Sequence, residues 1–200
     1  MKEQILEKAA QMFITLGFKS VTMDDLSQNM GISKKTIYQF FENKNELVHE
    51  ASLFVYEKIS AGIDAICDLD NNAIEELIHI KDFVMTALND EKSPALYQLS
   101  KFYPETFKFI RKLEFEKMQS CVVRNLLNGI SEGLYRQDLN IPFITRIYFQ
   151  GVFAIKDIEV FPQAEFNSQA VQDFYLDYHL RSLVTPKGLK LLEEKLKKQS

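Results

Sequence analysis

Leu26-Ser-Gln-Asn-Met-Gly31-Ile-Ser33-Lys-Lys-Thr-Ile37-Tyr-Gln-Phe-Phe41-Glu-Asn-Lys-Asn-Glu-Leu47 holds the pattern that decides how this chain folds. Gly31 interrupts an apolar-periodic segment that begins near Thr22. Ser33 follows it as a residue whose side-chain oxygen can accept an orphan backbone N–H. A new helix therefore starts after Ser33. Ile32 before the cap and Ile37 at the fourth helical position have the spacing of a hydrophobic staple, which sets the angle at which the chain enters that helix. A helix, a short turn with glycine and a second short helix make a helix-turn-helix.

On a helical wheel, Ile37 and Phe41 share the face that must pack inward, while Lys35, Thr36 and Gln39 point the opposite way. Lys34 and Tyr38 lie on one flank, a cation and a phenol suited to phosphate oxygens. Gln39 carries the amide that can pair bidentately with adenine in a major groove. A merely solvated helix face would show polar residues too. The combination of cap, staple and outward Lys-Lys-Thr…Gln set favours insertion into a DNA groove.

The run Gly31 to Leu47, together with Gly17-Phe18, Thr22 and Leu26, resembles the recognition-helix signature of the TetR family of bacterial transcriptional regulators. The likeness covers roughly the first fifth to quarter of the chain. It implies an all-α, two-domain homodimer in which an N-terminal three-helix head binds a double-stranded DNA operator. It also implies a repressor released from an inverted-repeat site by a small-molecule effector, with no enzyme activity and no cofactor. By resemblance the DNA-binding residues are Thr22 as helix cap and phosphate contact, Lys34, Lys35, Thr36, Tyr38 and Gln39 on the recognition helix, and Lys44 at the start of the next.

Composition sets outer bounds. Two hundred residues suffice for one or two units with ordinary cores. The net charge of −4 rules out a globally basic nucleic-acid binder. Residues 1–50 hold six Lys against seven Asp or Glu, so the head itself sums to −1. DNA affinity must then be local: across residues 33–44, Lys34, Lys35 and Lys44 against Glu42 leave +2, and helix N-termini add partial positive charge. Cys67 and Cys121 stand in no metal-binding or redox spacing, and two free thiols fit a reducing cytoplasm. The N-terminus has no secretion signal, and the most apolar stretch, Ile141 to Ile155, is broken by Arg146 and Gln150. A cytoplasmic chain without a membrane partner is expected.

In chain order, Ile5, Leu6, Ala9, Ala10, Phe13 and Leu16 keep helical spacing up to Gly17, so the first helix covers residues 2–16. Thr22 caps a second. Thr22-x-x-Asp25 has capping-box spacing, with an Asp shorter than the usual Glu. Asn43-x-x-Glu46 is a second box, opening a helix towards Ile66 that is long enough to bridge two units. Further helices are expected over 73–88, 94–102, 104–134, 142–156 and 168–184, with Glu91 to Pro94 ending one of them and Pro94, Pro104 and Pro142 at first-turn positions. The Lys-rich tail after Pro186 reads as a short amphipathic helix or a frayed end. The domain division expected is 1–46 for the DNA-binding head and 47–200 for effector binding and dimerisation.

Glu46-x-x-His49 and Glu76-x-x-His79 have the spacing that holds a di-iron site in a helical bundle, so a carboxylate-bridged enzyme is the alternative. His79, Phe83, Tyr103, Phe107 and Phe153 are candidate effector contacts in an aromatic-rich middle region, which could equally be packed core. For the dimer, Ile144, Ile147, Tyr148, Gly151, Val152 and Ile155 on one helix and Val171, Phe174, Tyr175 and Tyr178 on another offer more apolar surface than a monomer would leave open.

Overall fold

Apolar residues at helical spacing without a two-residue alternation dictate helices, and helices are what form. The computed structural model describes residues 1–88, 95–157, 159–162 and 164–199. Among the described residues ten helices run in order: α1 Lys2–Leu16, α2 Met23–Met30, α3 Lys34–Tyr38, α4 Lys44–Cys67, α5 Ala73–Ala87, α6 Ala95–Phe102, α7 Pro104–Ser131, α8 Ile141–Ala154, α9 Ser168–Leu183 and α10 Pro186–Gln199. Among the described residues, β pairing is limited to one antiparallel bridge between Tyr135 and Val184. The expected break at Glu91 to Pro94 lies outside the described residues. None of the described helices is long and apolar enough to cross a membrane.

The caps explain the boundaries. The Thr22–Asp25 box closes in both directions despite the short acid: the Asp25 N–H donates to Thr22 Oγ1 at 3.1 Å, and the Thr22 N–H donates to Asp25 Oδ2 at 2.8 Å. Ser33 Oγ accepts from the Thr36 N–H at 3.1 Å, and Gly31 at φ 65° provides the left-handed stop of α2. At the start of α4, Asn43 Oδ1 accepts from the Glu46 N–H at 3.0 Å, and the Glu46 carboxylate turns back to the Glu42 N–H. Asn140 and Asn167 cap α8 and α9 in the same manner.

Two compact units emerge from the packing, and their border differs from the expected one at residue 46. The first comprises Met1–Ala61 and Ala87–Glu114, the second Gly62–Thr86 and Phe115–Ser200. The first core is built on Ile5, Ala9, Phe13, Leu26, Ile37, Phe41 and Leu47, and Leu99 of α6 is buried in it. That burial makes α6 part of the first unit's own core, whereas the sequence had assigned it to the second domain.

The second core joins Ile74, Leu77, Val122, Leu126, Leu180, Leu183 and Leu192. The tail is thus a packed helix, its Leu192 fully buried. A polar network sits inside. Asn125 donates from Nδ2 to Ala73 O and to Glu76 Oε1, both at 2.8 Å, and its Oδ1 accepts from the Tyr135 hydroxyl at 3.2 Å. The Tyr135 ring fits because Gly129 has no Cβ, which would otherwise stand 2.1 Å from it.

His179 is buried in the same unit, stacked 4.3 Å from the Tyr148 ring, with no hydrogen-bond partner for Nε2. Burial pushes its pKa down from 6.5 to about 4. The folded state therefore holds the neutral ring while the unfolded chain takes up a proton below about pH 6.5. Stability is full above that pH, falls as pH drops towards 4, and levels off below, with a total loss of about 3 kcal/mol at ~1.4 kcal/mol per unit. Urea denaturation from pH 7.5 to 4 should show this slope, and His179→Phe should flatten it. An unchanged slope in the variant would assign the acid sensitivity elsewhere.

Candidate nucleic-acid interface

Ile37 is fully buried and Phe41 is 1% exposed, anchoring α3 against α1 and α2. The opposite face is thereby turned to solvent. Lys35 and Gln39 are exposed, and Tyr38 keeps half its surface open. Gln39 follows the last helical residue at φ −70°, ψ −22°, so its side chain continues the helical face. Thr36 is partly withdrawn, its Oγ1 2.9 Å from Ser33 Oγ. The structure brings five expected DNA residues together on one short helix and its C-cap.

Two of the expected cations already have intramolecular partners. Lys34 forms an ion pair with Asp24, both exposed, so a phosphate would have to displace a carboxylate. The half-buried Lys44 places Nζ 3.5 Å from Lys19 O. Desolvation lowers its pKa, and the charge of Asp25 opposes the shift. Thr22 is exposed, but its hydroxyl donates to Asp25 Oδ2 at 2.7 Å. Contact with a phosphate requires that hydroxyl to turn away from Asp25 while its oxygen keeps the capping bond. Neither Asp24 nor Asp25 stood out in the sequence as a competitor for these groups.

Residues 5–51 match the family described as bacterial regulatory proteins, tetR family. The transcriptional repressor KstR2 of Mycolicibacterium smegmatis is 25% identical over 151 residues, 72% of each chain. The uncharacterised regulator YhgD of Bacillus subtilis is 45% identical over 49 residues, 24% of this chain and 26% of that protein. Residues 5–51 are a DNA-binding head of the TetR family. The fold agrees: a transcriptional regulator from Saccharomonospora viridis solved in complex with choline superposes with TM-score 0.77 at 16% identity, covering 92% of this chain and 97% of that one. It is a TetR-family DNA-binding transcriptional regulator.

The alternative reading as a di-iron enzyme finds no support in this TetR-family chain. Glu46 is a helix-capping group and His49 Nδ1 faces Thr106 Oγ1 at 3.4 Å. Glu76 is buried on Asn125, whereas His79 on the same helix is exposed. The Glu-x-x-His residues thus point to different surroundings, and the described residues contain no cluster of three His, Cys, Asp or Glu able to hold a metal.

The effector candidates fall in both units. Tyr103 and Phe107 pack against the core of the first unit, Tyr103 6.2 Å from the Phe18 ring. In the second unit, His79 is exposed. Phe83 lies against the bare Cα of Gly62, and the Phe153 ring is tilted against Phe149 with centroids 4.9 Å apart.

The dimer set divides as well. Phe143, Ile147, Phe174 and Tyr178 are 62%, 52%, 74% and 73% exposed. Tyr148 and Val171 are buried in the chain's own core, so they leave the interface set. Tyr175 donates its hydroxyl to Tyr148 O at 3.0 Å and occupies the space over Gly151 where a Cβ would be 2.1 Å away. Gly151 serves that packing. Ile144, Val152 and Ile155 are half-buried, the first two against the same core.

Proposed function

We propose that this regulator is a homodimeric repressor that binds an inverted-repeat operator through two copies of α3 and releases it on binding a small apolar or aromatic molecule. The observation that carries the reading is the two-faced α3: Ile37 and Phe41 sealed in the core, with Lys35, Tyr38 and Gln39 turned outward. The exposed apolar side chains of α8 and α9 support an isologous four-helix contact, which would set two reading heads on one side of the duplex. Repression is supported by the likeness to the transcriptional repressor KstR2. An effector seat in the second unit is supported by the Phe115, Phe149 and Phe153 run, whose rings lie 5.0 and 4.9 Å apart and offer apolar faces to a flat or long ligand.

Selection of bound fragments from the source genome at stated salt tests the DNA-binding reading and recovers the operator. On that operator Gln39→Ala should cost about 1–3 kcal/mol and relax preference at one base position. Lys44→Ala should weaken all sequences alike and reduce the salt slope by about one. A Gln39→Ala protein with unchanged preference across single-base operator variants would remove Gln39 from base reading.

A further inference from the structure

The backbone of Lys19, in the turn between α1 and α2, is held from both sides. Its N–H donates to Gln98 Oε1 at 2.8 Å, and its carbonyl accepts a longer bond from Lys44 Nζ at 3.5 Å. Gln98 comes from α6 and Lys44 opens α4. The carboxamide reaches Lys19 by lying over Gly17, where a Cβ would stand 2.6 Å from Gln98 Oε1 and 2.7 Å from Nε2. Gly17 has φ 87°, a conformation that side-chain-bearing residues seldom adopt, so this residue both ends α1 and opens the slot. Leu99, next to Gln98, is 6% exposed in the head's core and fixes α6 against it. The Lys19 ammonium also lies 5.0 Å over the Phe102 ring of α6.

We infer that Gln98 is a positioning residue for DNA binding: through the Lys19 backbone it holds the Lys44 ammonium near Asp25 at the start of α2, where an operator phosphate docks. The inference rests on the DNA-binding reading above. A lysine ammonium on a four-carbon stem has many rotamers, and fixing one before binding removes an ordering cost from the phosphate contact. The Lys19 carbonyl can fix it only if the backbone on either side of the Lys19 Cα is fixed, and Gln98 provides that second anchor at the preceding N–H. The backbone of one residue thus links α6 to the phosphate-holding corner, so a displacement of α6 reaches Lys44 without travelling along α4.

The test uses the full chain, a duplex selected from a random double-stranded library by the wild-type protein, and a KCl series. Gln98→Leu keeps the shape of the side chain and removes the acceptor. It should weaken binding about five- to tenfold, as expected for one lost hydrogen bond, and lower the salt slope by about one unit, as for one lost phosphate contact. In a Lys44→Ala background the same substitution should cost nothing further. Gln98→Glu retains an acceptor for the Lys19 N–H and should keep the wild-type slope. Without DNA, the Lys19 amide should be protected from hydrogen exchange in wild type and Gln98→Glu, and unprotected in Gln98→Leu. An unchanged slope in Gln98→Leu, losses that multiply with Lys44→Ala, or a Lys19 amide unprotected in wild type would each overturn the inference while DNA binding stands. A wild-type chain that recovers no duplex would instead overturn the DNA-binding reading itself.

Discussion

Phe174→Glu combined with Tyr178→Glu yields a monomer with operator affinity about 10²–10⁴ lower than wild type, the factor by which linking two half-site contacts raises binding over one. Both side chains are roughly three-quarters exposed in the single chain, one helical turn apart on α9, with Phe143 and Ile147 exposed one turn apart on α8. An isologous contact buries these groups twice over, and the variant sets four carboxylates into it. The fold of each subunit is untouched, because neither side chain has a core neighbour to lose, so the melting curve of the isolated chain stays near that of wild type. Sedimentation equilibrium and operator titration read the two effects separately. A double variant that stays dimeric removes α8 and α9 from the interface. A monomeric variant with undiminished affinity removes the inverted-repeat reading. Substituting Gly151, in contrast, drives Tyr175 off its seat and reports on folding instead of assembly.

Asn125→Leu is expected to destabilise the second unit by about 3 kcal/mol or more, with three buried groups losing a partner at roughly 1–3 kcal/mol each. The Ala73 carbonyl, the Glu76 carboxylate and the Tyr135 hydroxyl all bond to this one carboxamide, and Glu76 and Asn125 are 5% and 1% exposed. Leucine fills the space and satisfies none of them. The charge of Arg124 acts on Glu76, which keeps the carboxylate from being wholly uncompensated and holds the loss towards the low end. Adding Glu76→Leu should restore part of the stability, since an apolar pair leaves fewer orphaned groups than half a network. Urea midpoints of the two variants measure this. A loss below about 1 kcal/mol for Asn125→Leu would mean that water reaches the network.

The ends of α1 and α2 and the starts of α2, α3 and α4 are legible along the chain because the groups that cap them lie within three or four residues of one another. Thr22 with Asp25, Ser33 with Thr36, Asn43 with Glu46, and the glycines at 17 and 31 all act locally. The same locality makes the outward face of α3 readable, since a five-residue helix with Ile37 fully buried has only one direction left for Lys35 and Gln39.

Faces of the later helices are a different matter. α8 and α9 carry apolar residues around much of their circumference, so spacing alone could not separate Tyr148 and Val171, which belong to the chain's own core, from Phe174 and Tyr178, which do not. Glu76 and His79 show the same limit, three residues apart on α5 with one buried on Asn125 and the other exposed. The sequence by itself determined an all-helical chain, its helix-turn-helix and the chemistry that head can present, through short-range capping and a strong 3.6-residue period. Only the tertiary structure decided that α6 belongs with the head and that Gln98 meets Lys19 across 79 residues of chain. The physical reason is that such contacts depend on which helices pack together, and the apolar period of a helix states that a face is buried without naming its neighbour.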